Sequence, residues 1–266
     1  MPDNHVPDRF ADVVLTRSAG GTSERRADRV AREDPLEIRL NGTSLAVVMR
    51  TPGDDEDLVL GFMLTEGILL EPKEIAAIEF PEDGRLDVRL APGVSVDPER
   101  FQRKLFVSSS CGVCGKASIE AVQLLAPPAK AFSVRRSTVA DLTTRLRSHQ
   151  PTFDQTGGLH AAGLFSLDGE LIAVREDVGR HNAVDKVIGA AAKQGWPLRP
   201  LLLAVSGRQS FEIVQKAAMA GIGAIVGVSA PSSLAVELAA SLDMLLVGFA
   251  RGETFNAYAG VHHLVD

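Results

Sequence analysis

The sequence predicts an α/β protein: a three-layer domain on a mixed, largely parallel sheet, with a smaller α+β unit in front of it. Three observations carry this. Residues 201–205, 224–228 and 244–249 are continuous apolar runs, as strands are when helices cover both faces of a parallel sheet. Segments with helical spacing, 211–220 and 233–241, separate them. Earlier in the chain the pattern is of another kind, with Asn41-Gly42 between two apolar stretches and alternation at Leu86, Val88 and Leu90, the marks of hairpins and half-buried strands.

Taken in order, residues 1–35 are rich in Arg, Asp, Gly and Ser. They read as a flexible lead-in holding at most a short strand at Val13-Val14-Leu15. The small α+β unit covers 36–105. Strands are expected at 37–40 and 44–50. A helix is expected over 54–66, where acids fill the first turn, Leu58, Phe62 and Met63 share a face, and Gly67 stops it. Residues 106–128 form a cysteine-bearing loop and a short helix through Leu124. The α/β domain covers 129–266. It starts with a helix capped by Ser137 and carrying Val139, Leu142 and Leu146. A hairpin of 161–165 with 171–174 turns at Asp168-Gly169, and a helix spans 181–193 before the three apolar strands. Trp196 reads as core.

Composition narrows the function. The chain has 266 residues, a formal net charge of −6, 45% hydrophobic and 23% charged residues, as an ordinary globule does. Mild acidity argues against a protein that coats nucleic acid, and any nucleotide must find a local pocket. No apolar run approaches the roughly 20 residues a membrane span needs, and Met1-Pro2-Asp3-Asn4-His5 lacks a signal-peptide layout. A cytoplasmic protein is expected, without nucleic acid or membrane as partner. Two cysteines separated by two residues do not make a disulfide framework; in a reducing compartment they suggest metal or redox chemistry.

Those cysteines stand in Ser110-Cys111-Gly112-Val113-Cys114-Gly115. The reactive form of a thiol is the thiolate, and flanking glycines let backbone N–H groups approach it. Lys116 and the start of a helix add positive potential. A transfer role for this pair leads. The plainer alternative is half of a zinc site completed by His149, His160 or His181; a thioredoxin-like pair lacks its βαβ setting.

Each apolar strand runs into a turn of small residues: Ser206-Gly207-Arg208-Gln209-Ser210, Ser229-Ala230-Pro231-Ser232-Ser233, and Ala250-Arg251-Gly252-Glu253-Thr254. In a parallel sheet these turns share one edge, where helix N-termini accept phosphate and Arg208 and Arg251 offer forked donors. Serine and glycine also make good caps and turns, which alone explains any one of the three. Glu176-Asp177-Val178-Gly179-Arg180-His181 gathers ionisable groups at a helix start, with His160 as a spatial neighbour. The plainer alternative makes Asp177 a helix cap and Arg180 a partner of Glu176.

Long motifs in one order resemble the FdhD/NarQ family of formate dehydrogenase accessory sulfurtransferases. They are Cys111-Gly112-Val113-Cys114-Gly115, the run from Glu176 through Arg180 and His181 to Lys186, Ser206-Gly207-Arg208, Gly61-Phe62-Met63-Leu64-Thr65-Glu66-Gly67, and Ser229 to Val236. The resemblance starts near residue 35. It implies a cytidine deaminase-like larger domain and a homodimer. It implies a sulfurtransferase that takes sulfane sulfur from a cysteine desulfurase as a persulfide on Cys111, with Cys114 auxiliary. The sulfur passes to molybdenum or tungsten held by bis(molybdopterin guanine dinucleotide), and formate dehydrogenase receives the product. The guanine dinucleotide, or GDP as its fragment, is expected at Phe249, Ala250, Arg251, Gly252, Glu253 and Thr254, with Ser206, Arg208, Ser229 and His181 at the same edge. No catalytic metal of its own is expected. A zinc deaminase is the rival enzyme, but Ser110 stands where that motif has proline, and no His-x-Glu occurs in the chain. A cofactor-binding chaperone with structural cysteines is the non-catalytic rival.

Overall fold

A computed structural model describes residues 8–97, 115–127, 130–198 and 200–266. Cys111 and Cys114, and the loop expected before Lys116, lie outside the described residues.

The chain opens with strands β1 (Phe10–Ala19) and β2 (Thr22–Ala31), paired antiparallel over their whole length. The expected lead-in, with its short strand at 13–15, is thus a hairpin of two ten-residue strands. Gly20 and Gly21 both take positive φ, 58° and 80°, the backbone a two-residue turn requires. Both faces are largely exposed, so no apolar alternation marked it. Its base is tied down by Arg9 to Asp54 at 2.5 Å and Arg29 to Gln155 at 2.8 Å.

A four-stranded sheet follows, in the order β4-β3-β6-β5: β3 (Asp34–Leu40), β4 (Thr43–Arg50), β5 (Ile75–Glu82) and β6 (Arg85–Leu90). The Asn41-Gly42 turn forms as expected, with φ of 48° and 83°. Strand β5 escaped the sequence reading, because its side chains are mostly exposed on both faces. Helix α1 (Asp55–Thr65) buries Leu58, Val59, Phe62, Met63 and Leu64 in a core shared with this sheet.

The larger unit is a six-stranded sheet in the order β13-β12-β11-β10-β8-β9, with β8 (His160–Phe165), β9 (Leu171–Asp177), β10 (Leu202–Val205), β11 (Ala224–Gly227), β12 (Leu245–Arg251) and β13 (Thr254–Ala259). Strands β10, β11 and β12 are mutually parallel, as the apolar runs predict. The outer pairings, β8 with β9 and β10, and β12 with β13, are antiparallel. Helices α5 (Arg180–Ala192), α6 (Phe211–Met219) and α7 (Ser233–Ser241) bury one face of the sheet. Helix α3 (Arg136–Arg147) buries the other through Val139, Leu142 and Leu146. That is the expected three-layer arrangement. Helix α2 (Gly115–Leu125) packs on α6 and α7 and buries Val122 in their core.

Smaller differences have local causes. Ser137 is not the cap of α3: the helix starts at Arg136, two residues earlier than that cap would place it, with Arg135 in the cap position and no side-chain bond there. The six-residue α4 (Pro151–Thr156) is too short to show a period. Strand β13 went unread because exposed residues dominate it. The two-residue strands β7 (Val134–Arg135) and β14 (Leu264–Val265) carry no pattern at all. Trp196 is partly buried where the two cores meet, and its indole donates to the Leu70 carbonyl at 2.7 Å.

The two units are fused through α1 against α5. A Cβ on Gly61 would lie 1.9 Å from the Asp185 carbonyl oxygen, and one on Gly189 1.9 Å from that of Asp57. Both positions demand glycine, because the helix backbones touch there. Around the contact, Lys216 Nζ meets Glu66 at 2.6 Å and Asp185 at 2.9 Å, while Thr65 Oγ1 donates to Asp185 at 2.7 Å. Burial opposes the Lys216 charge, yet Asp185 and Glu66 outweigh it and hold the amine above the ordinary lysine range.

Candidate functional site at the strand ends

Parallel strands deliver their following turns to one edge, and a single side chain joins the three turns here. Gln209 is fully buried. Its backbone N–H donates to Ala230 O at 3.2 Å, and its carbonyl accepts from Ser232 N at 2.9 Å. Its amide Nε2 donates to Val247 O at 2.9 Å. The turn after β11 in turn accepts Phe249 N–H on Ser229 O at 3.2 Å. A Cβ on Gly227 would sit 2.0 Å from that amide nitrogen, so glycine is what admits the glutamine. The expectation that the turns after β10, β11 and β12 share an edge is met.

Helices α5, α6 and α7 all begin at this edge. Ser232 caps α7 with its side chain, accepting from Ala235 N at 3.3 Å. Gly179 and Ser210, at the starts of α5 and α6, make no side-chain cap bond. Their first N–H groups add positive potential to the edge.

The antiparallel strand β8 also begins here, which brings His160 to the same place. His160 Nδ1 and Arg180 both pack against Gly207, each within 3.5 Å of where its Cβ would be. Burial, and then the Arg180 charge, depress the His160 pKa. His181 Nε2 lies 3.3 Å from Ser210 Oγ and 3.9 Å from Glu212. Burial first, then Arg180 and Lys216, lower its pKa to about 4, so His181 is neutral at pH 7. Arg180 Nε is buried without a hydrogen-bond partner. Arg208 and Arg251 are exposed, and no described acid pairs with either. Forked donors left uncompensated beside neutral imidazoles give the edge capacity for an anion.

On the α3 side the edge is concave. One hollow of about 440 Å³ is lined by Thr143, Leu146, Arg147, His160, Ser206 and Val228, among others. Another of about 670 Å³ shares Thr143, Arg147 and Val228 and reaches Ala250, Arg251 and Gly252. They form one groove with a histidine at one end and an arginine at the other. Thr143 Oγ1 donates to Ala250 O at 3.0 Å and pins α3 to the last turn. Phe249 adopts φ 53° at a break in the β12–β13 register and stays 43% exposed. A bulky side chain in the left-handed region is strained, and such strain gathers at functional positions.

The residues expected at this edge therefore divide. Ser206, Ala250, Arg251 and Gly252 line the groove. His181 stands on the helix-covered side of the same edge, beside Ser210, and Arg208 is exposed on the turn after β10, its charge acting on His160. Ser206 Oγ is committed to Ala161 N at 2.8 Å, Ser229 contributes its carbonyl, and Thr254 Oγ1 donates to Arg251 O at 3.1 Å. Glu253 is exposed beyond them. Glu176 and Asp177 hold the fold. Glu176 accepts from Thr152 N and Phe153 N at 3.0 and 2.8 Å, closing the start of α4, and forms no pair with Arg180. Asp177 binds Lys186 Nζ at 2.8 Å, Thr51 N and Gly179 N. Sequence reasoning missed Thr143, Arg147 and Gln209 as members of the site. Nothing local marks α3 residues as facing an edge two strands away, and a buried turn glutamine looks like any surface one.

The sequence model of the FdhD/NarQ family matches residues 31–265. The sulfur carrier protein FdhD of Streptomyces coelicolor is 50% identical over 263 residues, 92% of either chain. The protein of that name from Mycobacterium tuberculosis is 47% identical over 264 residues, 93% of this chain and 92% of its own. A crystal structure of a candidate formate dehydrogenase accessory protein from Desulfotalea psychrophila shares the fold with a TM-score of 0.79. It is 25% identical and the match covers 97% of this chain and 100% of that one.

Proposed function

The chain belongs to the FdhD/NarQ family, and on that premise we propose that it is a sulfur carrier serving formate dehydrogenase. In this reading the Cys111 thiolate attacks the sulfane sulfur of a cysteine desulfurase persulfide. The desulfurase cysteine leaves as a thiolate and Cys111 carries the new S–S bond, with Cys114 beside it. The outer sulfur then passes to the molybdenum or tungsten of a bis(molybdopterin guanine dinucleotide) client, bound as substrate at the strand-end edge: the Cys111 S–S bond breaks, Cys111 leaves as a thiolate, and the client's reduced metal supplies the two electrons that turn sulfane sulfur into sulfide. Arg208 and Arg251 hold its pyrophosphates, helped by the N-termini of α5 and α6. Phe249 offers a face for the guanine. The protein works in the cytoplasm as a homodimer.

The observation that carries this reading is the edge itself: unpaired arginines, uncapped helix starts and neutral histidines around one groove. Helix α2 supports it from the other side. It begins at the residue after Cys114 and packs on α6 and α7, the helices whose first turns open at the edge. At the edge, the chain's own residues bind and orient an anion; they need move no proton.

The test is mass spectrometry of the full chain after incubation with a cysteine desulfurase and cysteine. A gain of one sulfur is expected, absent from Cys111→Ala. Label retained in that variant with Cys114 intact rejects the assignment. GDP binding without any sulfur gain in the wild type favours a cofactor chaperone instead.

A further inference from the structure

The other end of the six-stranded sheet carries its own constellation. Asp243 ends the turn between α7 and β12 with φ 55°. Residues 261–263 form a short 3-10 helix after Gly260, whose φ is 66°. A Cβ at 260 would lie 2.5 Å from the Met244 carbonyl oxygen, so glycine alone lets these backbones close. The closure sets two consecutive histidines over Asp243. His262 Nε2 is 3.0 Å from Asp243 Oδ1. His263 Nε2 is 3.5 Å from the same oxygen and 2.8 Å from the Asp243 carbonyl oxygen.

His263 decides what this cluster is for. It is 5% exposed, and its ring stacks on Phe132 at 4.1 Å and 10°. Its Nδ1 faces the Phe132 carbonyl oxygen at 3.1 Å. A neutral imidazole has one N–H. If that proton bonds Phe132 O, the Nε2 lone pair points at two oxygens that also bear lone pairs. Something positive must stand among them, a proton or a metal ion.

We propose that Asp243, His262 and His263 bind a divalent transition-metal ion of the zinc class. Three features favour a metal over a proton. A carbonyl holding Nδ1–H, so that Nε2 is free to coordinate, is the usual outer support of a metal-bound histidine. A proton needs only one imidazole, yet both histidines bring Nε2 to one carboxylate oxygen with their rings 4.2 Å apart; two imidazoliums at that distance would repel. Ligand atoms bound at about 2.1 Å lie about 3.0–3.5 Å from one another, which matches the 3.0 and 3.5 Å separations here. Two imidazoles and a carboxylate suit Zn²⁺, Co²⁺ or Ni²⁺, with a solvent-facing position left open. The ion ties the C-terminal segment, whose β14 pairs with β7, to the β12 turn and to Phe132. It lies at the end of the sheet opposite the groove and takes no part in sulfur transfer.

The experiment uses the full chain with Cys111→Ser and Cys114→Ser, which removes thiolates as competing ligands. Metal is stripped by chelation, and Co²⁺ is added under calorimetry and absorption spectroscopy. One Co²⁺ per chain is expected, with weak visible bands, and Zn²⁺ displaces it. Affinity falls about tenfold or more in His262→Gln and in Asp243→Asn. His262 and Asp243 are exposed, so both variants keep the fold, which circular dichroism checks. Equal affinity in His262→Gln overturns the proposal. So does the absence of binding at millimolar metal, or nitrogen NMR that finds His263 doubly protonated and unmoved by Co²⁺.

Discussion

Helices α5 and α6 each present ionisable groups in two layers, one turn apart, and the layers behave in opposite ways. In the first turns, His181 faces Ser210 and Glu212. Four residues on, Asp185 of α5 faces Lys216 of α6, with Glu66 and Thr65 of the α1 segment completing the set. The lower layer is buried and every charge in it has a partner within 3 Å. The upper layer is half exposed, its histidine is neutral, and the Arg180 beside it keeps its Nε buried without a hydrogen-bond partner. Saturated charge fixes how two units sit together. Unsaturated charge on the same two helices leaves binding capacity, and spacing of i, i+4 sets the boundary between them.

The sharpest way to break this comparison is to remove one lower partner. Lys216→Met leaves Asp185 buried without its cation, and a loss of about 3–5 kcal/mol is expected, read from the urea midpoint. Glu212→Ala, four residues away in the upper layer, is expected to cost less than about 1 kcal/mol. Equal losses in the two variants would erase the distinction.

The helix contact beneath the lower layer is the next test. Gly61→Ala places a methyl 1.9 Å from the Asp185 carbonyl. The two helix backbones have to separate, which drags the lower charges out of register. A loss of about 1–3 kcal/mol or more is expected, visible as a lower melting temperature. A neutral outcome would mean that α1 shifts freely on α5.

The two layers also differ in how far the sequence shows them. Strands β10, β11 and β12 announced themselves as apolar runs, and their turns could be placed at one edge with Arg208 and Arg251 on them. The lower layer stayed hidden: Asp185 and Lys216 sit at ordinary helical spacing and look like solvent-facing charges until α1 is laid across them. A glycine within each helix, Gly61 and Gly189, is the local trace of the close approach. The groove was half legible, because its strand-end wall comes from motifs and its α3 wall, Thr143 and Arg147, from tertiary packing. The hairpin of residues 10–31 failed for a physical reason as well. Both its faces meet solvent, and the family match begins only at residue 31. Gly20-Gly21 was the one available signal.

The upper layer is tested by ligand. Arg251→Ala and Arg208→Ala are each expected to weaken GDP binding about tenfold, the worth of one charge-assisted bond, measured by calorimetry. Unchanged affinity in both would move the anion away from the strand ends. A weaker response to Arg208 than to Arg251 would locate the pyrophosphate at the turn after β12 and not at the turn after β10.

The smallest effect is set by His181. Its folded-state pKa is about 4 against an ordinary value of 6.5. The unfolded chain therefore takes up a proton near pH 6.5 that the folded chain refuses until about 4. Stability from the neutral imidazole is complete above 6.5 and is lost as pH falls through that window. The side chain is 35% exposed, so solvent screening reduces the effect to on the order of 1 kcal/mol. His181→Gln is expected to flatten the stability curve between pH 6.5 and 4, followed by urea titrations at fixed pH. Bound GDP sharpens the test, because an anion at the edge favours the imidazolium. Wild-type affinity for GDP is then expected to rise as pH falls from 6.5 toward 5, and His181→Gln to lose that rise. If the variant keeps both slopes, the upper layer does not face the anion through His181, and the binding capacity belongs to the arginines alone.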